Sequence, residues 1–380
     1  MSSRTFSLRA KEYQNRLAKT RERLNSEGYS GLLTFSGYGE RDGNICYLCG
    51  HKNAFPYSPR SEQVSGLGYS ALLVPTEEAT ILISPLGFQA NRVVGIERAR
   101  TGTDLTMDLV GAISETWLQG ARVTVAGADV IPAVYMDELR RQLPEIKFDY
   151  NENILAEQRL VKSENELRLM KHASKIADTA MTAAIEAIKP GLTESAVGTI
   201  VRRAAMQAGA DYVVRDRVQS GAEMGRLRWP FASAKKIRRG ELVSLDLVGW
   251  AGAYGFDILR IGCAGRANRQ QRRLIEVAAQ ATTAMSEALT DGAEIEASIS
   301  SLKQFETDGF KVSAFGHGIG LEIVENPYLL PGVTGRLRKN MVLCIEPDVR
   351  WRRKFASIEN EVVVTSGKPE VLTKLPVFWD

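Results

Sequence analysis

No stretch of the 380 residues approaches the roughly 18 consecutive apolar residues needed to cross a bilayer. The opening residues, MSSRTFSLRAKEYQNR, lack the apolar core of a secretory signal. These two absences argue against a membrane-spanning or exported protein and make the cytoplasm the expected compartment. Cysteine is scarce as well: Cys46, Cys49, Cys263 and Cys344 are the whole complement, widely spread. That argues against a disulfide framework in a chain this long, and the thiols are expected to be reduced. The Cys46-x-x-Cys49 spacing lies in NICYLCG, which reads as a strand with positions i and i+3 on opposite sides, and zinc would require a second ligand pair that the sequence does not supply. An excess of one charge is also missing. The 49 basic and 45 acidic residues leave a formal charge of +4, and the basic ones are scattered apart from Lys235 to Arg239 and Arg350 to Lys354, which speaks against nucleic-acid binding. Internal repeats, low-complexity tracts and Pro- or Ser-rich linkers are absent by inspection.

What remains is an ordinary globular composition, 44% apolar and 25% charged, in a chain long enough for two domains at about 100 to 200 residues each. The first part opens with an amphipathic stretch carrying Tyr13, Leu17 and Leu24, closed by Gly28. Strand-like runs follow at Gly31 to Phe35, Ala71 to Val74, Ala79 to Ile83 and Arg122 to Ala126, so an α/β domain is expected over residues 1–155. A second domain, 156–380, begins with a capping-box pattern at Ser163 and Glu166 ahead of a helix with Leu167, Met170, Ala177, Met181, Ala184 and Ile188 on one face, stopped by Pro190 and Gly191. A second helix is expected from Thr193 to Gly209, then two strands, Leu242 to Leu247 and Gly255 to Ile261, then a third helix over Arg269 to Leu289 and a strand-rich end.

Five ionisable residues are oddly placed. Asp246 lies in the apolar strand VSLDLV and Asp257 in GFDILRIG, and the Gly-rich turn between them folds one strand back alongside the other. Two buried carboxylates side by side repel, so the arrangement makes physical sense when a cation compensates them; an ion pair of Asp257 with Arg260 is the plain structural alternative. His317 sits between glycines in FGHGIG, where backbone can approach a ligand closely, and Glu346 and Glu359 are each set within apolar strands, in CIEP and IENE. Four carboxylates carry as much negative charge as two divalent cations carry positive, and an oxygen-rich set favours manganese, iron or cobalt over zinc.

The order Asp246, Asp257, GHGIG with His317, IEP with Glu346 and IEN with Glu359 resembles the ligand signature of the prolidase, aminopeptidase P, methionine aminopeptidase and creatinase superfamily. The likeness extends over nearly the whole chain, through NICYLCG, LVKSENELRLMKHA, IKPGLTE and VLTKLP. It implies an α/β (α+β) protein, a creatinase-like first domain followed by a pita-bread domain holding two metals. Asp246 would then hold one ion, His317 and Glu346 the other, and Asp257 and Glu359 would bridge them. Glu361, on the same strand face as Glu359, is the rival should the register differ. The resemblance also implies a homodimer acting on a small molecule or short peptide.

The family pattern breaks at two positions. The peptidases carry one histidine shortly before the first Asp strand and another seven residues after the metal-binding histidine; here those places fall around Arg228 to Pro230 and at Val324. With His51, His172 and His317 the only histidines, another group must protonate the leaving nitrogen, a task worth roughly 100-fold to 10,000-fold in rate. Glu325 is a candidate acid, and Tyr254 and Arg228 are candidates to stabilise an oxyanion. The stretch His51 to Arg60, with Phe55 and Tyr57, is a candidate to reach a neighbouring subunit's site, while His172 is expected to be structural. The expected function is a two-metal hydrolase of a C–N bond, amide or Xaa-Pro-like. The alternatives are a metal-dependent lyase on an osmolyte-like substrate, or a non-catalytic peptide-binding module.

Overall fold

The computed structural model describes residues 8–37, 39, 41–53, 55–61, 63–85, 87–88, 93–116, 120–225 and 231–379. They fall into two compact units, Leu8–Arg159 and Leu160–Asp380.

The first unit runs α1 (Ala10–Ser26), β1 (Gly31–Gly37), α2 (Gly43–Cys49), β2 (Tyr69–Pro75), β3 (Ile81–Ile83), β4 (Arg98–Arg100), α3 (Leu105–Thr116), β5 (Arg122–Ala126), α4 (Ala133–Gln142), β6 (Lys147–Tyr150) and α5 (Asn153–Leu160). Its sheet has the order β4-β3-β2-β1-β5-β6. Strand β1, GLLTFSG, is buried at every position, as a central strand covered on both faces must be. It pairs antiparallel with β2 and parallel with β5. Leu33, Phe35, Leu73, Ile113, Val125 and Leu139 meet in the core.

NICYLCG is a helix and not the expected strand: α2 closes on Gly50, whose φ of 78° and N–H bond to the Cys46 carbonyl end the turn. A short apolar run buried on every side has no alternation to tell helix from strand, which is why its periodicity misleads. Cys46 and Cys49 lie inside, and burial pushes both thiols up to about 12. All four cysteines are buried and free.

The second unit begins with α6 (Glu164–Glu186) and α7 (Glu194–Ala208). The capping box is formed: the Ser163 hydroxyl accepts from the Glu166 N–H and the Glu166 carboxylate from the Ser163 N–H. The Thr193 hydroxyl caps α7 by accepting from the Ala196 N–H, and Gly209, at φ 108°, ends it. Then come β7 (Tyr212–Ser220), β8 (Leu242–Ala251), β9 (Tyr254–Cys263), α8 (Arg269–Glu287), α9 (Ile295–Ser300), β10 (Phe310–Ser313), β11 (Gly316–Gly318), β12 (Glu325–Tyr328), β13 (Val342–Ile345), β14 (Asp348–Trp351), β15 (Lys354–Ser357), β16 (Asn360–Val363), β17 (Glu370–Val371) and β18 (Phe378–Trp379). The strands form sheets of order β18-β9-β8-β7, β12-β11-β13-β16-β17 and β10-β14-β15. Two apolar cores support them. Ala177, Met181 and Val201 of α6 and α7 pack with Leu247, Phe256 and Ile258, and Leu274, Ala278 and Met285 of α8 pack with Leu343, Ile345 and Ile358. No described helix is long and apolar enough to cross a membrane.

Candidate metal centre

Gly252 and Ala253, with φ of 59° and 73°, make the two-residue reversal between β8 and β9, the left-handed geometry that matches strand twist. The register sets Asp246 opposite Leu259 and Val248 opposite Asp257. The two aspartates therefore share one face of the hairpin as diagonal neighbours, each 7% exposed.

The other sheet supplies the remaining groups. His317 on β11 stands opposite Cys344 on β13, and Cys344 opposite Glu361 on β16. Flanking glycines make this approach possible: a Cβ on Gly316 would lie 2.6 Å from the Cys344 carbonyl oxygen, and one on Gly318 2.2 Å from that of Asn326. His317 Nδ1 lies 3.0 Å from the Gly318 carbonyl oxygen; donating there leaves Nε2 with its lone pair for a ligand. Where this sheet meets the hairpin, the Glu359 N–H donates to the Leu259 carbonyl at 3.1 Å.

Among the described residues, donor atoms gather in two groups, each within 4.8 Å: Asp246, Asp257 and Glu359, and His317, Cys344 and Glu359. Glu359 belongs to both. Glu346, 6% exposed, stands outside these groups but close enough for its charge to push Glu359 upward. Glu361, the rival, is engaged elsewhere: its carboxylate accepts from the Asp257 N–H at 2.8 Å and from the Ser174 hydroxyl.

The electrostatics are those of crowded buried acids. Burial, then Asp246, raises Asp257 well above the usual carboxylate range. Burial, then Asp257, Glu346 and Asp246, does the same to Glu359. Burial also raises Asp246, with Arg217 opposing, and lowers His317, keeping it neutral. Asp246 Oδ1 and Glu359 Oε1 are buried without a hydrogen-bond partner. Unpartnered buried carboxylate oxygens beside a neutral imidazole are what a divalent cation satisfies, and the residues fit one.

Other expected site residues stand elsewhere. Tyr254, three residues from Asp257 and so on the opposite face of β9, gives its hydroxyl to Glu166 at 2.9 Å, tying the hairpin to α6. Arg260 does not pair with Asp257. Its guanidinium donates to the Leu259 and Glu359 carbonyls and to Asn360 Oδ1, and burial pulls it down to about 10. Glu325 is half-buried and not a lone acid: Oε2 lies 3.3 Å from Lys162 Nζ, and Oε1 accepts from the Glu322 N–H at 3.0 Å. Its charge is nevertheless felt at His317. Arg228 lies outside the described residues. His51 lies in the connection after α2 but is enclosed: it is 3% exposed in the first unit, with Nε2 at 2.9 Å from Ser70 Oγ, and burial lowers it to about 4. Phe55 and Tyr57 are exposed. His172 lies on α6, half-buried.

Three neighbours escape the sequence reading. Cys344 has no role there beyond being a reduced thiol, yet it stands opposite His317 and within the donor group of His317 and Glu359. Lys162 sits two residues after the helix α5 with nothing local to mark it, and is paired through the fold with Glu325. Arg217 donates to Asp246 Oδ2 at 2.7 Å; its signal is an arginine in a strand register-matched to VSLDLV, which needs the β7–β8 pairing to be seen.

The chain resembles known proteins over nearly its whole length. Residues 168–366 match the sequence model of metallopeptidase family M24, and residues 16–161 that of the creatinase/prolidase N-terminal domain. The chain is 26% identical to an Xaa-Pro dipeptidase of Pyrococcus horikoshii over 83% of this chain and 91% of that one. It is 28% identical to a probable dipeptidase PepE of Mycobacterium bovis over 96% and 95%. In fold it resembles the crystal structure of the prolidase from Pyrococcus horikoshii OT3, with a TM-score of 0.81 at 23% identity and coverage of 95% and 99%.

Proposed function

The chain belongs to metallopeptidase family M24 and is a metal-dependent hydrolase of pita-bread fold, and on that premise we propose that it cleaves a C–N bond, amide or Xaa-Pro-like, in a small substrate. Asp246, Asp257, His317, Glu346 and Glu359 would hold two divalent cations, manganese, iron or cobalt before zinc. The observation that carries this reading is the pair of buried, unpartnered carboxylate oxygens on Asp246 and Glu359 within two donor groups that share Glu359. Bound cations supply Lewis-acid polarisation of the scissile carbonyl and activation of water. The protein's part is to hold Nε2 of His317 unprotonated through Nδ1 and to leave Asp246 Oδ1 and Glu359 Oε1 without a hydrogen-bond donor. For the proton that the leaving nitrogen takes, we assign the Lys162–Glu325 pair beside His317, since His51 is enclosed in the first unit and His172 lies on α6. The relatives named as Xaa-Pro dipeptidases make Xaa-Pro dipeptides the substrates to try first.

The test is elemental analysis and peptide hydrolysis on protein purified without added metal, beside Asp246→Ala and Glu359→Ala. Close to two transition-metal ions per chain, lost in both variants together with release of proline from Xaa-Pro dipeptides, is the expected result. A wild type that binds no metal even after reconstitution sinks the reading. Metal with no hydrolysis, but with an alkene product from small osmolyte-like compounds, moves it to a lyase.

A further inference from the structure

We propose that the second unit carries an arginine-built surface that binds the phosphate backbone of a nucleic acid without reading its sequence. The inference is independent of the metal-site reading, since none of these residues belongs to that centre. Three segments far apart in the chain, Lys235 to Arg239, Arg266 to Arg273 and Arg350 to Lys354, hold twelve arginines and lysines and no aspartate or glutamate. Taking those twelve from the 49 basic residues leaves 37 against 45 acidic ones, so the positive excess of the chain resides in them. Along the chain they are scattered; in the fold they adjoin. Gln271 Nε2 donates to the Gly240 carbonyl at 2.9 Å, joining the residue after the first segment to the first turn of α8. Lys354 Nζ donates to Gln270 Oε1 at 2.7 Å, joining the β14–β15 hairpin to the same turn.

All nine arginines of the three segments are exposed. Arg269, Arg272 and Arg273, three and four residues apart on one face of α8, line with Glu276 an open recess of about 550 Å3. Acids answer part of the charge: Glu241 and Glu194 lie 2.8 and 4.0 Å from Lys235, and Glu276 and Asp308 lie 3.9 and 4.0 Å from Arg273. Even so, the surface stays strongly positive. Its composition selects the partner. A planar guanidinium grips phosphate oxygens through two parallel N–H bonds, which an ammonium cannot do, and arginine outnumbers lysine nine to three here. None of the large apolar side chains exposed among the described residues lies in the three segments, so the surface lacks the anchors used by a protein interface or by insertion into a membrane. Trp351, the aromatic residue among them, is stacked on Phe310 with ring centroids 5.1 Å apart, and Arg352 and Lys354 lie over it at 5.1 and 6.0 Å. A ring so covered does not insert between bases. What is left is electrostatic attachment to a backbone, the sequence-independent mode.

Fluorescence anisotropy of a labelled DNA duplex of mixed sequence, titrated with the full chain at several salt concentrations, tests this. The wild type is expected to bind at about 50 mM salt and to weaken by about a hundredfold or more by about 200 mM, the slope that about four or more phosphate contacts produce. Arg238→Gln, Arg269→Gln and Arg353→Gln, one from each segment, are each expected to make the slope of log affinity against log salt shallower by about 1, and the triple variant by about 3. Thermal melts of all four are expected to stay close to the wild type, as for exposed side chains. A wild type that does not bind the duplex at about 50 mM salt overturns the proposal. So does binding that the triple variant leaves unchanged, which would put the contact on another face. Polyglutamate or anionic lipid vesicles held as tightly as the duplex at equal salt overturn it in favour of an acidic protein or a membrane.

Discussion

The two compact units bury ionisable groups in opposite ways. In the first, buried Arg16 and Asp42 stand beside opposite charges, Arg16 by Glu12 at 3.0 Å and the Tyr47 carbonyl at 2.9 Å and Asp42 by Lys52 at 4.0 Å, while neutral His51 meets Ser70. In the second, Asp246, Asp257, Glu346, Glu359 and Glu361 are gathered against one another. Removing a charge from water costs several kcal/mol unless something compensates it. In the first unit Arg16 and Asp42 pair with opposite charges supplied by its own side chains. The second leaves that compensation unfinished, and the unfinished part has the shape of a metal centre. A catalytic centre is thus marked less by the presence of buried acids than by the absence of an internal answer to them.

The sharpest way to break this contrast is to remove the shared ligand. Glu359→Ala is expected to lose bound metal and to lower kcat/KM by at least about a thousandfold, measured by elemental analysis and Xaa-Pro hydrolysis; full activity would mean that the cluster is ornamental. Next in size, Lys162→Met is expected to lower kcat by about a hundredfold with metal content unchanged, and a loss of metal instead would make the Lys162–Glu325 pair a structural support.

Stability against pH separates the two units by sign. Burial raises Glu361 from 4.5 to about 7, so the native state keeps a proton that the unfolded chain gives up. Glu361 should therefore contribute up to about 3 kcal/mol to the stability that the metal-free second unit loses as pH rises from about 4.5 to about 7, in the same direction as Asp257 and Glu359, and Glu361→Gln should make that limb shallower without removing it. His51 is the reverse case: it is lowered from 6.5 to about 4, and its contribution should be lost as pH falls through that window, again by up to about 3 kcal/mol. Thermal melts across pH 4 to 8 read both limbs. His51→Gln should abolish the acid limb and leave kcat within about twofold, as expected of a histidine enclosed in the first unit's own packing; a tenfold fall in kcat would return it to the reaction. The smallest effect is that of Cys46→Ala, a buried thiol that acts as a small apolar group. It should cost about 1 kcal/mol and leave metal binding untouched, whereas a change in metal content would overturn the packing role.

Much of the fold could be read from local patterns. The Ser163–Glu166 capping box, the Thr193 cap and the apolar stripe of Leu167, Met170, Ala177 and Met181 are signals carried by residues a turn apart, and the helices form where those signals stand. The β8–β9 hairpin was legible because its turn and both strands lie within a short stretch of chain. NICYLCG was misread because nothing local distinguishes a wholly buried helix from a buried strand.

The candidate site divides in the same way. The sequence by itself determined which acids sit in apolar strands and that a histidine lies between glycines, because those are properties of neighbours along the chain. Only the tertiary structure decided that Glu359 stands between both donor groups, that Glu361 turns to Ser174, that Glu325 meets Lys162 and that Arg217 holds Asp246. These are pairings between strands and helices far apart in sequence, and the register that selects them follows from burying whole faces of sheet, which no single residue encodes.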